Sequence, residues 1–204
     1  MKLIYQRVEM ISEIDGVSIL KKLELAGKNC YKSENNITDD SYIKFIEMII
    51  KNNHHSVLEH SNITLRWITD RGVMSELTRH RIASYSIEST RYCSYKGDIE
   101  FIKPVDFEFS EDDIELLIDI EKRYHGMLNS GYTPQQARAI LPNCLKTDIV
   151  FTMNLREFRH MLSLRCHRSS HPQMVDIARK TLKLLTDNIP IIFDDLYDLY
   201  FRNN

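Results

Sequence analysis

The chain has 204 residues, with 27 Lys plus Arg against 29 Asp plus Glu, a formal net charge of −2, and 43% hydrophobic and 27% charged residues. That balance suits one globular domain over residues 1–204 and excludes a general nucleic-acid coat protein, which carries a basic excess. No apolar run approaches the ~20 residues of a membrane helix, and Met1–Arg7 lacks the apolar core of a signal sequence, so neither a membrane nor a nucleic acid is an expected partner.

In chain order, residues 1–10 alternate like a strand. Ile14 to Asn29 reads as a helix with Ile19, Leu20, Leu23 and Ala26 on one face. Thr38-Asp39-Asp40 forms an N-cap region for a helix through Lys51, and Asn52-Asn53 breaks it. Asn62 to Trp67 alternates like a half-buried strand. Gly72 to about Arg81 reads as a short helix, and Ser84 to Tyr95 as a loop with extended pieces. Ile99 to Ile102 is strand-like and stops at Pro104. Asp112 to Leu128 is a helix, and Thr133-Pro134 starts another that ends near Pro142. Thr147 to Thr152 reads as a strand, Leu155 to Leu164 and Pro172 to Asp187 as helices, and the acidic, aromatic tail as one more. Helices around a few non-consecutive strands give an α+β fold with a small mixed or antiparallel sheet. No Gly-rich Rossmann or P-loop signature occurs.

The four cysteines, Cys30, Cys93, Cys144 and Cys166, form no Cys-x-x-Cys pair. They read as reduced thiols in a cytoplasm, with Cys30, Cys144 and Cys166 as buried small apolar residues.

Arg79-His80-Arg81-Ile82-Ala83-Ser84-Tyr85-Ser86-Ile87-Glu88-Ser89-Thr90-Arg91-Tyr92 is the most informative segment. Its arginine forks and hydroxyls match phosphate oxygens; the other reading of the same composition is a solvated basic turn. Arg138 and Arg165 adjoin apolar residues and need a partner, either a protein carboxylate or an anionic ligand. His54 to His60 holds three histidines and Glu59, but not the spacing His-Glu-x-x-His. It starts Asn-rich, as a loop does, and is assigned ligand contact or backbone capping rather than a metal. Without a Gly-x-Ser-x-Gly elbow, Ser89 is not read as a hydrolase nucleophile.

Arg79-His80-Arg81 followed by Ser89 resembles the signature of flavin-dependent thymidylate synthases: Arg-His-Arg, seven residues, then Ser. The likeness continues in order. His54, Ser56, Glu59 and His60 look like the family's upstream flavin loop, and Ala137 to Pro142 resembles its Ala-Arg-x-x-Leu-Pro segment. Asn154-Leu155-Arg156 and Leu164-Arg165 are similar to its Asn-x-Arg and late Leu-Arg positions, and Gln173 with Asp176-Ile177 follows. Ser86 stands where many members have asparagine, Glu76 where a glutamine contacts the nucleotide in the family, and the usual acidic position is Ile87, with Glu88 one place later.

The resemblance implies reductive methylation of dUMP to dTMP, with non-covalent FAD as cofactor and NADPH and 5,10-methylenetetrahydrofolate as co-substrates. It also implies a homotetramer with active sites at subunit interfaces. By carry-over, His54, Ser56, Arg79, His80, Arg81, Glu88, Asn154, Arg156 and His160 bind FAD. Glu76, Arg79, Glu88, Ser89, Thr90, Arg91, Arg138 and Arg165 bind dUMP, with Arg165 activating the pyrimidine. A non-catalytic nucleotide- or RNA-binding module using the same arginine loop is the alternative.

Overall fold

The structure is a computed structural model that describes residues 1–202. Its centre is a four-stranded antiparallel sheet built from β2 (Arg7–Met10), β3 (Asn62–Asp70), β4 (Ala83–Ile87) and β6 (Lys146–Asn154), in the order β2-β3-β6-β4. A second, two-stranded parallel sheet pairs β1 (Lys2–Ile4) with β5 (Glu100–Ile102). The helices are α1 (Gly16–Asn29), α2 (Ser41–Lys51), α3 (Arg71–Leu77), α4 (Glu111–Asn129), α5 (Pro134–Ala137), α6 (Leu155–Arg165), α7 (Pro172–Asn188) and α8 (Asp194–Tyr197). The expected α+β class holds.

β3 and β6 pair over nine residues each, from Asn62 opposite Asn154 to Asp70 opposite Lys146. Alternate side chains of β6 are buried, as a sheet with one face on the core requires. Trp67 of β3 is fully buried, edge-on to Phe151 at 5.2 Å, and its Nε1 donates to Thr181 Oγ1 at 2.9 Å. That bond satisfies the one polar atom the indole brings into the core. Each long strand then runs directly into a helix whose N-cap is the strand's last residue. Asp70 accepts from Val73 N at 2.7 Å to start α3, and Asn154 accepts from Glu157 N at 2.8 Å to start α6. A smaller cluster around Phe101, Tyr124, Ala137 and Leu145 joins α4 and α5 to β5.

Three expectations are corrected. Residues 1–10 form two strands in two sheets, because Gln6 turns inward: its Nε2 donates to Gln173 O and Asp176, and its Oε1 accepts from Thr69, each at 2.7–2.8 Å. The helix from Gly72 ends at Leu77, not near Arg81. Tyr85 reaches over from β4, and the single proton of its hydroxyl is shared between the carbonyls of His80 (2.6 Å) and Leu77 (2.9 Å), which caps the helix end and shapes the Arg79–Arg81 turn. The extended piece expected from Ser84 is strand β4, made regular by pairing with β6. His55–His60 is a 3₁₀ helix rather than a loop. Among the described residues no helix is long and apolar enough to cross a membrane.

Candidate active site

α3 and α6 leave opposite ends of the β3–β6 ladder and meet at their C-terminal ends. There Arg165 donates through Nε to His80 Nε2 at 3.0 Å, through Nη1 to Glu76 Oε2 at 3.1 Å and through Nη2 to the Glu76 carbonyl at 3.4 Å. On the other side of the ring, His80 Nδ1 lies 3.5 Å from Glu157 Oε1. His80 and Glu157 are both buried. Burial, then the charges of Arg165 and His160, push the His80 imidazole down to about 4, so it is neutral near pH 7. Burial pushes the Glu157 carboxyl up, against the opposing charge of His160. The question whether Arg165 pairs with a protein group is therefore answered: it pairs with Glu76, one edge on the carboxylate and one on the imidazole.

Beside this network lies a cleft of about 550 Å³ whose lining includes His55, Asn154, Arg156, Glu157 and His160. A second cleft of about 690 Å³ is lined in part by Cys30, His54, Ser56 and again His55 and Arg156, so the two adjoin. The Nε2 atom of His55 is buried with no hydrogen-bond partner, and burial, followed by the charges of Arg159 and Arg156, lowers this imidazole below its usual range. Arg156 makes an exposed ion pair with Glu59 at 2.5 Å. Arg79 and Arg81 are exposed on the turn that follows α3. Arg159 belongs to the scaffold instead: it is buried and forks onto both carboxylate oxygens of Asp195 at 2.7 Å.

A separate corner gathers the phosphate candidates. Arg138 Nη1 donates to the buried Thr90 Oγ1 at 3.2 Å, across 48 positions of sequence. Arg91 Nε donates to Gln135 at 3.1 Å, and Ser89 Oγ accepts from Arg91 N at 3.2 Å. Thr90 and Arg138 line a polar cleft of about 250 Å³. Glu88 is drawn toward β6, where its Oε2 pairs with Lys146 at 3.0 Å.

The structure thus brings Glu76, His80 and Arg165 together, His54, Ser56, Asn154, Arg156 and His160 along the adjoining clefts, and Ser89, Thr90, Arg91 and Arg138 at the corner. Sequence reasoning missed Glu157. Asn154-x-x-Glu157 has the spacing of a capping box, but only the Asn154 half forms; the glutamate side chain faces His80. Two cysteines are also corrected: Cys30 is exposed and Cys144 only half-buried, whereas Cys166 is buried as expected.

Residues 17–191 match the family described as thymidylate synthase complementing protein. Relatives include a flavin-dependent thymidylate synthase of Geobacter sulfurreducens, 31% identical over 84% of this chain and 79% of that protein. One from Mycolicibacterium gilvum is 32% identical over 92% of this chain and 83% of that protein. Among solved structures, the flavin-dependent thymidylate synthase of Helicobacter pylori, complexed with FAD and dUMP, superposes with a TM-score of 0.77 at 22% identity, over 93% of this chain and 98% of that one. A UMP/dUMP methylase from Streptomyces cacaoi, bound with 5-Br dUMP, gives 0.76 at 23%, over 99% of both. At these identities the two structures speak for the fold.

Proposed function

The chain belongs to the thymidylate synthase complementing protein family, the flavin-dependent thymidylate synthases, and on that premise we propose that it methylates dUMP reductively to dTMP, with FAD as a non-covalent cofactor. The observation that carries the reading is the junction of Arg165 with His80 and Glu76. It joins the Arg79–Arg81 turn to the late arginine, two segments that resemble the family separately in sequence.

The residues fit FAD. The two clefts adjoin at Arg156, whose fork suits a pyrophosphate, and Arg79 and Arg81 present further exposed cations. The buried His55 Nε2 lacks an acceptor or donor that a ligand can supply. His54, Ser56 and His160 line the same clefts, and Asn154, whose Oδ1 caps α6, keeps its amide NH₂ for the flavin. The flavin supplies the redox chemistry when bound.

Arg165 activates the pyrimidine. A cation at the uracil edge favours loss of the N3 proton and accumulation of negative charge, which makes C5 more nucleophilic. Glu76 holds the same guanidinium edge in the free chain, so the nucleotide displaces that contact. Ser89, Thr90, Arg91 and Arg138 hold the phosphate. NADPH is the reductant and 5,10-methylenetetrahydrofolate the carbon source. We read residues 1–204 as one domain that works as a homotetramer, with sites at the interfaces. Ile82, Tyr92 and Leu164 support this: they are 67%, 75% and 49% exposed, and each directly follows or precedes a site arginine. Four unpaired cysteines support a cytoplasmic setting.

The test is a visible spectrum and a solution mass of the purified protein, followed by tritium release from C5-labelled dUMP. An oxidised-flavin band, a mass well above 24.1 kDa and release that needs both folate and NADPH are expected. A monomer that takes up no FAD at high micromolar concentration would sink the reading.

A further inference from the structure

Arg165 has three ties to the protein, and the incoming pyrimidine takes the place of one. Nη1 donates to the Glu76 carboxylate at 3.1 Å, the contact that the nucleotide displaces. What then remains is Nη2 on the Glu76 carbonyl at 3.4 Å, a long bond, and Nε on His80 Nε2 at 3.0 Å. The bond to His80 is therefore the main fixing of the guanidinium once the nucleotide has arrived.

Only one form of the ring makes that bond. A neutral imidazole carries its proton on one nitrogen, and His80 is neutral near pH 7. With the proton on Nε2, two N–H groups would face each other across 3.0 Å and push the guanidinium away. The nitrogen that is protonated follows from what the other nitrogen meets. Nδ1 meets Glu157 Oε1 at 3.5 Å, and among the described residues no other carboxylate pairs with that ring. His80 and Glu157 are each 5% exposed, so water is a poor substitute for the carboxylate. Glu157 and Arg165 sit in the first and last turns of α6, about 12 Å apart along its axis. They cannot touch, and the His80 ring spans the distance between them.

We propose that Glu157 is a positioning residue for the methylation: by keeping the His80 proton on Nδ1, it leaves Nε2 free to hold Arg165 where the pyrimidine meets it. This rests on Arg165 being the group that activates the pyrimidine. Glu157 acts through the ring and does not touch the nucleotide. The task needs an acceptor oxygen at that place, not a charge, so an amide of the same length serves and a thioether of the same length does not.

The experiment joins nitrogen NMR of histidine-labelled, flavin-loaded protein with tritium-release kinetics on dUMP, for the parent, Glu157→Gln and Glu157→Met. The His80 signals are identified by their loss in His80→Asn. The parent ring is expected to carry hydrogen on Nδ1 and none on Nε2. Glu157→Gln should keep that tautomer and hold kcat within about threefold of the parent. In Glu157→Met the proton should move to Nε2 and kcat should fall about tenfold to a hundredfold, the cost of a misplaced group. KM for dUMP and flavin content should stay near parental values. A parent ring protonated on Nε2 overturns the proposal and needs no variant to fold. So does parental kcat in Glu157→Met, or a loss there that falls equally on flavin content, KM and kcat, which marks a merely structural carboxylate. Near-parental methylation by Arg165→Lys overturns instead the activation reading on which the role of Glu157 rests, whatever the tautomer.

Discussion

Arg165 donates its Nε proton to His80 Nε2 at 3.0 Å, and that bond fixes which nitrogen of the ring carries hydrogen. A neutral imidazole has one donor and one acceptor. Nε2 accepts, so the proton sits on Nδ1, which faces Glu157 Oε1 at 3.5 Å. The carboxylate orients the ring, and the ring orients the guanidinium.

Arg165→Lys keeps a positive charge but cannot reach His80 and Glu76 from one rigid plane. Methylation of dUMP is expected to drop sharply, while reduction of the flavin by NADPH, measured without nucleotide, largely survives. Near-parental methylation and dUMP affinity would show that Arg165 is not the activating group.

The His80 network also sets a pH dependence of stability. The imidazole falls from an ordinary 6.5 to about 4 on folding. A depressed value means that the stability is fully present above pH ~6.5 and is lost as pH falls through 4; a shift of this size corresponds to roughly 3 kcal/mol. Glu157 shifts upward, so its contribution has the opposite sign and is lost as pH rises above the ordinary carboxylate range. Urea midpoints measured between pH 4 and 6.5 should therefore vary less in His80→Asn than in the parent, and more in Glu157→Gln. Equal slopes in all three would remove His80 from the titration.

Arg91 and Arg138 each spend a single donor on the protein, on Gln135 and on Thr90, and keep the rest of the fork. Changing either to alanine should weaken dUMP binding about tenfold to a hundredfold, as a charge-assisted contact of roughly 1.5–3 kcal/mol implies. Flavin affinity should hold. Equal losses for both ligands would make these arginines structural.

No cysteine should be needed for the chemistry. A thiolate route to thymidylate requires a thiol with a lowered pKa, yet burial pushes Cys144 up to about 11 and Cys166 up to about 12. Cys30 and Cys93 are exposed. A variant without all four, with alanine at the buried Cys166, should release tritium within about tenfold of the parent after some loss of stability from repacking. Complete loss in Cys93→Ser, with flavin content unchanged, would point to a thiolate instead.

What was legible in the sequence was local. Leu155 to Leu164 and Pro172 to Asp187 carry a helical period, and the structure places α6 and α7 within a residue or so of those limits. Asn62 to Trp67 alternates, and β3 is there, though longer. What could not be read depends on partners far along the chain. β4 is regular because β6 lies beside it, and α3 stops where the Tyr85 hydroxyl meets the Leu77 carbonyl. The arginine-rich turn could be singled out by composition, but its partner Arg165 lies 85 positions away. Glu157 was hidden because a buried carboxylate beside a helix start has the same spelling as a cap.

The antiparallel ladder acts as a calliper. α3 and α6 are its jaws, fixed at opposite ends of β3 and β6, and the gap between them is closed by Glu76 and Arg165. A two-residue slip keeps every side chain on its own face but moves one jaw by about 6.6 Å, further than any hydrogen bond spans. Pairs that touch no ligand, such as Arg66 Nε donating to Asp148 at 2.9 Å and the hydroxyls of Thr64 and Thr152 at 2.9 Å, therefore hold the setting at which the instrument measures its substrate.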